Sequence, residues 1–272
     1  MDTIMNEFVV VTDLHGRLEH LREIVRRYAG ATLISGGDVD DGPEYSQIAP
    51  TIDLLIEIGA VCVYGNHDFN RAAVMYETDP AAREAWLQVW QFNELRTLES
   101  YGLEGLKTSD LDEAREKADQ LRDLVDRRGH GEYFRNLKTY FECGKFIVVH
   151  AGFHTGIPVD NQLQELERAQ VQAKWGDYSG APDQVLDTTT YKLAVSELGL
   201  PKDQSDKVLI TGHFHNSMTP AERVTDEGRR VRLGSRYGNP NGPVHVWESW
   251  SGNVVPIHPN NQPYIQDFFQ AA

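Results

Sequence analysis

Disulfide chemistry, a basic surface and a membrane span are all missing from this chain. Of its 272 residues only 2 are cysteines. Cys62 and Cys143 are too few for a disulfide framework, and each stands in an apolar run, which predicts buried free thiols. Lys and Arg number 26 against 41 Asp and Glu, a formal net charge of -15. A protein that coats long nucleic acid through its phosphates needs a basic face, so that class is excluded. An enzyme that meets phosphate through bound cations is not. No apolar run nears the roughly 18 residues that would cross a bilayer, and Met1 to Glu7 carries no apolar core of a signal peptide. A reducing cytoplasm is the expected location and a membrane is not an expected partner. Hydrophobic residues at 40% and charged residues at 25% describe a globular chain. Its length allows one large α/β domain or two small ones.

The first part alternates strand and helix. Phe8–Thr12 is a short β-branched run that suits a buried parallel strand. Arg17–Ala29 places Leu18, Leu21, Val25 and Tyr28 on one helical face, and Gly30 can close it. Ala31–Ser35 is a second strand. Glu44–Ile58 is a second helix with Ile48, Ile52, Leu55 and Ile56 on one face, and Val61–Tyr64 a third strand. Such alternation implies right-handed crossovers onto a mostly parallel sheet. From residue 70 to 144 the pattern turns helical. One helix covers Pro80–Glu94; another opens at Ser109, where Ser-Asp-Leu-Asp resembles a capping box, and runs to Arg128. Phe146–His150 and Val208–Thr211 read as strands and Asn161–Lys174 as helix. The tail, Val231–Ile257, reads as short antiparallel strands.

The polar residues fall where the strands stop. Asp13-Leu14-His15-Gly16 follows the first strand, and Gly36-Gly37-Asp38-Val39-Asp40-Asp41-Gly42 the second. Gly65-Asn66-His67-Asp68 follows the third. His150-Ala151-Gly152 and Gly212-His213-Phe214-His215 close two later ones. Ligands of open α/β sheets bind at the carboxyl ends of strands. Carboxylate, imidazole and amide oxygen suit manganese, iron, zinc, nickel or magnesium. The two oxygens of a carboxylate such as Asp38 can bridge two ions about 3.5–4 Å apart, and such a pair activates water for in-line attack on phosphorus.

In order and content these clusters resemble the calcineurin-like metallophosphoesterase superfamily, D-x-H…G-D-x-x-D…G-N-H-[DE]…H…G-H-x-H. The leaning is towards its protein phosphatase and symmetrical diadenosine tetraphosphatase branch. The resemblance runs from Asp13 to His215. It implies a four-layer αββα sandwich, a single domain over 1–272, with residues 70–144 as a helical cap insertion. It also implies two divalent metal ions, manganese first. Asp13, His15 and His215 would hold the first ion, Asp38 would bridge, and Asn66, His150 and His213 would hold the second. His67 would be the general acid, supported by Asp41. Physical chemistry agrees, since a carboxylate partner orients an imidazole and raises its pKa. Asp68 would anchor its turn.

One departure stands out. Protein phosphatases of this superfamily read G-D-x-x-D-R-G, whereas this chain has Gly42-Pro43 after Asp41. A substitute for that phosphate-gripping Arg is sought at Arg71, Arg17 or Arg236. Asp40 reads as a solvated turn residue, His154 as a loop residue, and His20, His130, His245 and His258 as structural. Trp86 and Trp90 read as core. The expected reaction is cleavage of a phosphomonoester, by direct attack of activated water without a covalent enzyme intermediate. The substrate would be a phosphorylated small molecule, nucleotide or phosphopeptide. Nucleotide phosphoanhydrides of the diadenosine tetraphosphate kind, or phosphodiesters, are the alternative. A non-catalytic binding module with a relic site is the remote one, and a relic should lack ligands that this chain retains.

Overall fold

The computed structural model describes residues 7–42, 47–90, 96–104, 110–180, 206–213, 218–235 and 241–259, and the backbone of Leu198–Gly199. Two five-stranded sheets form its centre. The first has the order β12-β11-β1-β2-β3, built from β1 (Phe8–Val11), β2 (Thr32–Ser35), β3 (Val61–Cys62), β11 (Val244–Glu248) and β12 (Val254–Ile257). Strands β1, β2 and β3 are parallel, with α1 (Leu18–Arg27) and α2 (Ile48–Glu57) as crossovers. Strand β11 runs antiparallel to β1 with Val9 opposite Glu248.

The second sheet has the order β4-β5-β8-β10-β9, from β4 (Phe141–Cys143), β5 (Phe146–Val148), β8 (Val208–Thr211), β9 (Val224–Thr225) and β10 (Arg230–Arg232). Strand β6 (Phe153–His154) pairs with β7 (Leu198–Gly199), and α8 spans Val159–Lys174.

Alternation along each strand explains the layers. Phe8, Val10, Ile34, Val148, Val208, Ile210 and Trp247 belong to one core cluster, lying between the sheets. Val9, Val11, Leu33, Ile147, Leu209 and Val246 belong to the other, with Leu21 and Ile24 of α1, Ile48 and Ile52 of α2, and Leu166 of α8. A strand buried on both faces sends every second side chain to each core, and two sheets so covered make the αββα sandwich. Phe8 of the first sheet meets Phe141 and Phe146 of the second at 5.9 and 5.6 Å between ring centroids, which fixes one sheet against the other.

Among the described residues five helices lie between β3 and β4: α3 (Asn66–Tyr76), α4 (Pro80–Trp90), α5 (Arg96–Ser100), α6 (Leu111–Arg127) and α7 (His130–Asn136). Their apolar faces are continuous with the helix-side core: Leu87, Trp90, Leu98, Ala118, Leu121 and Phe134 share it with α1 and α2.

Several expectations need correction. Helix α6 is capped by Asp110, whose side chain accepts from the Asp112 N–H at 2.8 Å; Ser109 lies outside the described residues. So do Glu44, where the second helix was placed to begin, and residues 91–94 of the fourth. The tail is not one antiparallel finish. Strand β10 joins the second sheet parallel to β8, and only β11 and β12 close the first. Cys62 is buried, but Cys143 is half-buried, because it ends the edge strand β4.

Candidate metal centre

The rim of both sheets gathers the strand-end clusters. Asp13, His15 and Asp38 form one group of potential metal ligands and Asp38, His150 and His213 another, each with its ligand atoms within 4.8 Å of one another. Asp38 belongs to both, as a bridging carboxylate must. Asn66 Oδ1 joins the second group, 3.1 Å from His150 Nε2 and 2.9 Å from His213 Nδ1. Asp13, His15, Asp38 and His150 are fully or almost fully buried. His215 and Arg236 lie outside the described residues.

The backbone explains how non-adjacent residues meet. Asp13, His15, Asp38, Asp41 and His213 all have φ between 44 and 66°. A left-handed conformation costs a non-glycine residue about 1–2 kcal/mol, and such strain persists only where the surroundings over-determine it. Asp68 does much of that. Buried in the first turn of α3, its carboxylate accepts the main-chain N–H of Asp38, Val39, Asp40 and Gly65 at 2.7, 3.1, 2.8 and 2.9 Å. It therefore ties the turn after β2 to the start of α3. Gly65 makes the approach possible, for a Cβ there would overlap both the Asp38 carboxylate and its main-chain nitrogen.

The donor set fits divalent metal. His150 places Nδ1 3.0 Å from the Gly36 carbonyl, and His15 places Nδ1 3.3 Å from the Asp40 carbonyl. An N–H donated there turns Nε2 of each ring towards Asp38 Oδ2, at 3.1 and 3.9 Å, the atom through which each would ligate an ion. His213 turns Nδ1 inward to within 3.3 Å of His150 Nε2. Converging nitrogen and oxygen donors of this kind, without thiolate, are what manganese, iron or zinc require. Burial lowers the His15 pKa to about 4 against the opposing pull of Asp38, so its ring is a neutral ligand. Burial alone would raise the Asp38 pKa, but the facing His150 and His67 hold it well below the carboxylate range.

His67 stands beside the two groups. Its Nδ1 is 3.1 Å from Asp41 Oδ2 and its Nε2 4.0 Å from Asp38 Oδ2. Its side chain is 24% exposed, the access a proton donor needs. Burial works against its charge, yet Asp38 and the Asp41 hydrogen bond outweigh it and raise the pKa to about 9.

One sequence expectation fails here. Asp40 is not solvated but 0% exposed, because its carboxylate accepts from Arg71 Nε at 2.6 Å and from the Thr97 hydroxyl at 2.7 Å. Arg71, expected at a phosphate, is bonded to Asp40 and 2% exposed. A helical arginine four residues past His67 and an aspartate at the metal turn could have been paired from sequence, but nothing local says that both are buried. Arg17 is buried too, heading α1 near His20. His154 lies on β6 with Gln162 bound to its main chain, and Trp90 is core.

Comparison with known proteins agrees with this geometry. The chain resembles a solved, provisionally assigned diadenosine tetraphosphatase at 16% identity and a TM-score of 0.52, covering 96% of this chain and 97% of that one. It is also similar to a metallophosphoesterase from Sphaerobacter thermophilus (15% identity, TM-score 0.44, 93% and 87% covered). A Saccharomyces cerevisiae protein serine/threonine phosphatase with similarity to human phosphatase PP5 follows at 12% identity and a TM-score of 0.48, with 96% and 82% covered. None of the curated proteins matches at a significant level. The sequence model of the calcineurin-like phosphoesterases matches residues 7–233, and with the ligand groups at its strand ends the chain belongs to that family of metal-dependent phosphoesterases.

Proposed function

We propose that this chain hydrolyses phosphomonoesters at a two-metal centre, by direct attack of water on phosphorus. The observation that carries the reading is Asp38 shared between two donor groups, with the His67–Asp41 pair beside it. Asp13, His15, Asp38 and His215 would hold one ion, and Asp38, Asn66, His150 and His213 the other. Manganese is the proposed metal. Two such ions, when bound, supply Lewis acidity to a phosphoryl oxygen and lower the pKa of water.

The chain's own residues do the rest. Asp41 accepts a hydrogen bond from His67 Nδ1–H and so favours the imidazolium, whose second proton, on Nε2, faces the centre. From Nε2 it passes to the departing alkoxide oxygen, a general-acid contribution of about 10²–10⁴-fold. Arg17, two residues past His15 at the head of α1, is one candidate for a phosphate oxygen. The helices within residues 70–144 select the substrate, a role supported by their place between two ligand-bearing strands.

A panel of an aryl phosphate, an aryl phosphodiester, diadenosine tetraphosphate and a phosphopeptide, each with manganese, tests this reading. Fastest turnover on a monoester is expected. Preference for the diester or the anhydride replaces the substrate class, and no turnover by protein carrying two ions removes the reaction.

A further inference from the structure

One buried network next to the metal turn has no part in the ligand set or the proton transfer. Asp40 lies between Asp38 and Asp41, and both its carboxylate oxygens are occupied. Oδ2 accepts from Arg71 Nε and Oδ1 from the Thr97 hydroxyl. Arg71 Nη2 donates to the same Thr97 Oγ1 at 3.2 Å, which closes a ring of three side chains. The guanidinium carbon lies 5.3 Å from the centroid of the Trp90 ring. Arg71 belongs to α3, Trp90 to α4 and Thr97 to α5, so two helices bond one carboxylate and a third lies against the guanidinium.

The main chain of Asp40 is held as well, its N–H by Asp68 and its carbonyl beside His15 Nδ1. On either side stand the left-handed Asp38 and Asp41, φ 56 and 58°. A turn with two such residues relaxes unless its surroundings hold it. Asp68 holds it through the main chain, and Asp40 is the side chain through which the insertion does so.

We propose that Asp40, Arg71 and Thr97 are positioning residues: by gripping the turn they set where Asp38 and the Asp41–His67 pair stand, and so couple the helical insertion to turnover. The turnover arm of the test rests on the hydrolase reading above. If the network only attached the helices to the domain, its loss would lower stability and leave kcat of the folded protein alone.

Thr97→Val removes the hydroxyl and keeps the shape, whereas Thr97→Ser keeps the hydroxyl. Three quantities are measured on each: kcat and KM for an aryl phosphate with manganese, the number of bound ions, and the His67 ring N–H resonance in the metal-free protein. For Thr97→Val a loss of about tenfold in kcat is expected with KM nearly unchanged, since misplacement by a fraction of an ångström acts on the transition state. Two ions should remain bound, the His67 resonance should shift, and Thr97→Ser should restore both kcat and resonance. Wild-type kcat and resonance in folded Thr97→Val overturn the proposal. If Thr97→Val does not fold, Arg71→Lys is read by the same criteria, because a single ammonium cannot reproduce the fork that bridges Asp40 and Thr97. If the wild type cleaves no phosphoester, the resonance alone decides: a shift keeps the network while the hydrolase reading falls, and no shift ends both.

Discussion

Replacing Asp68 by Asn removes one negative charge and two acceptor positions from the join between the turn after β2 and helix α3. Each carboxylate oxygen now receives two main-chain donors: Oδ2 those of Asp38 and Gly65, Oδ1 those of Val39 and Asp40. Whichever way an amide is turned, its NH₂ must face one of these pairs, so two buried N–H groups lose their acceptor. Each unsatisfied donor costs about 1–3 kcal/mol, and the pair about 3 kcal/mol after relaxation. At roughly 2–4 °C per kcal/mol for a domain of this size, Asp68→Asn should melt some 6–12 °C below wild type. The turn that carries Asp38 would also relax from its left-handed conformation, and manganese affinity should fall by at least about tenfold. Calorimetry with and without manganese, with metal analysis of the dialysed protein, measures both. A melting point within about 1 °C of wild type, together with unchanged metal content, would refute the reasoning, because the four bonds would then contribute nothing.

Three further outcomes are expected. His67→Ala should keep both ions and lose about 10²-fold or more in kcat; near-normal turnover would take His67 out of the reaction. Gly65→Ala should lose metal and activity together, since its methyl group displaces the Asp38 carboxylate; a fully metallated, active variant contradicts this. His20 and His245 are buried. Burial first, with Arg17 beside His20 and Arg223 beside His245, lowers their pKa values from 6.5 to about 4 and about 3. Between those values and 6.5 the unfolded chain binds more protons, so stability falls as pH drops through that window. The fall in melting temperature from about pH 7 to about pH 5 should be shallower in His20→Gln, which keeps a donor for the Gly242 carbonyl; an unchanged slope speaks against it.

The strand-end donors were legible because their signal is local. A β-branched run followed by Asp, His or Asn among glycines needs no partner to be recognised: the runs Phe8–Thr12, Ala31–Ser35 and Val208–Thr211 hold the strands Phe8–Val11, Thr32–Ser35 and Val208–Thr211. What escaped was decided at a distance. Asn66 and His67 already lie in the first turn of α3, yet the apolar side of that helix starts only at Phe69, so the sequence marks the motif only as the end of a strand. Asp40 and Arg71 look solvated singly and are buried because each neutralises the other under Trp90. The short α5 and the edge strand β4 have too few residues to show a period. Strand β10 carries no mark of which sheet it will join.

The register of the first sheet has a consequence for synthesis. Strand β1 is synthesised long before β11, but it occupies the middle of its sheet, and one neighbour is β11, with Val9 opposite Glu248. Parallel pairing with β2 can form early through α1. The other edge of β1 must wait until β11 has emerged, at about 5–20 residues per second. The ligands from Asp13 to His213 are all made before that edge closes. A nascent chain halted just short of β11 would therefore present a metal turn already complete in sequence beside an open hydrophobic strand edge. Metal captured at that stage would act on a half-built domain, stabilising it while its most aggregation-prone edge is still bare.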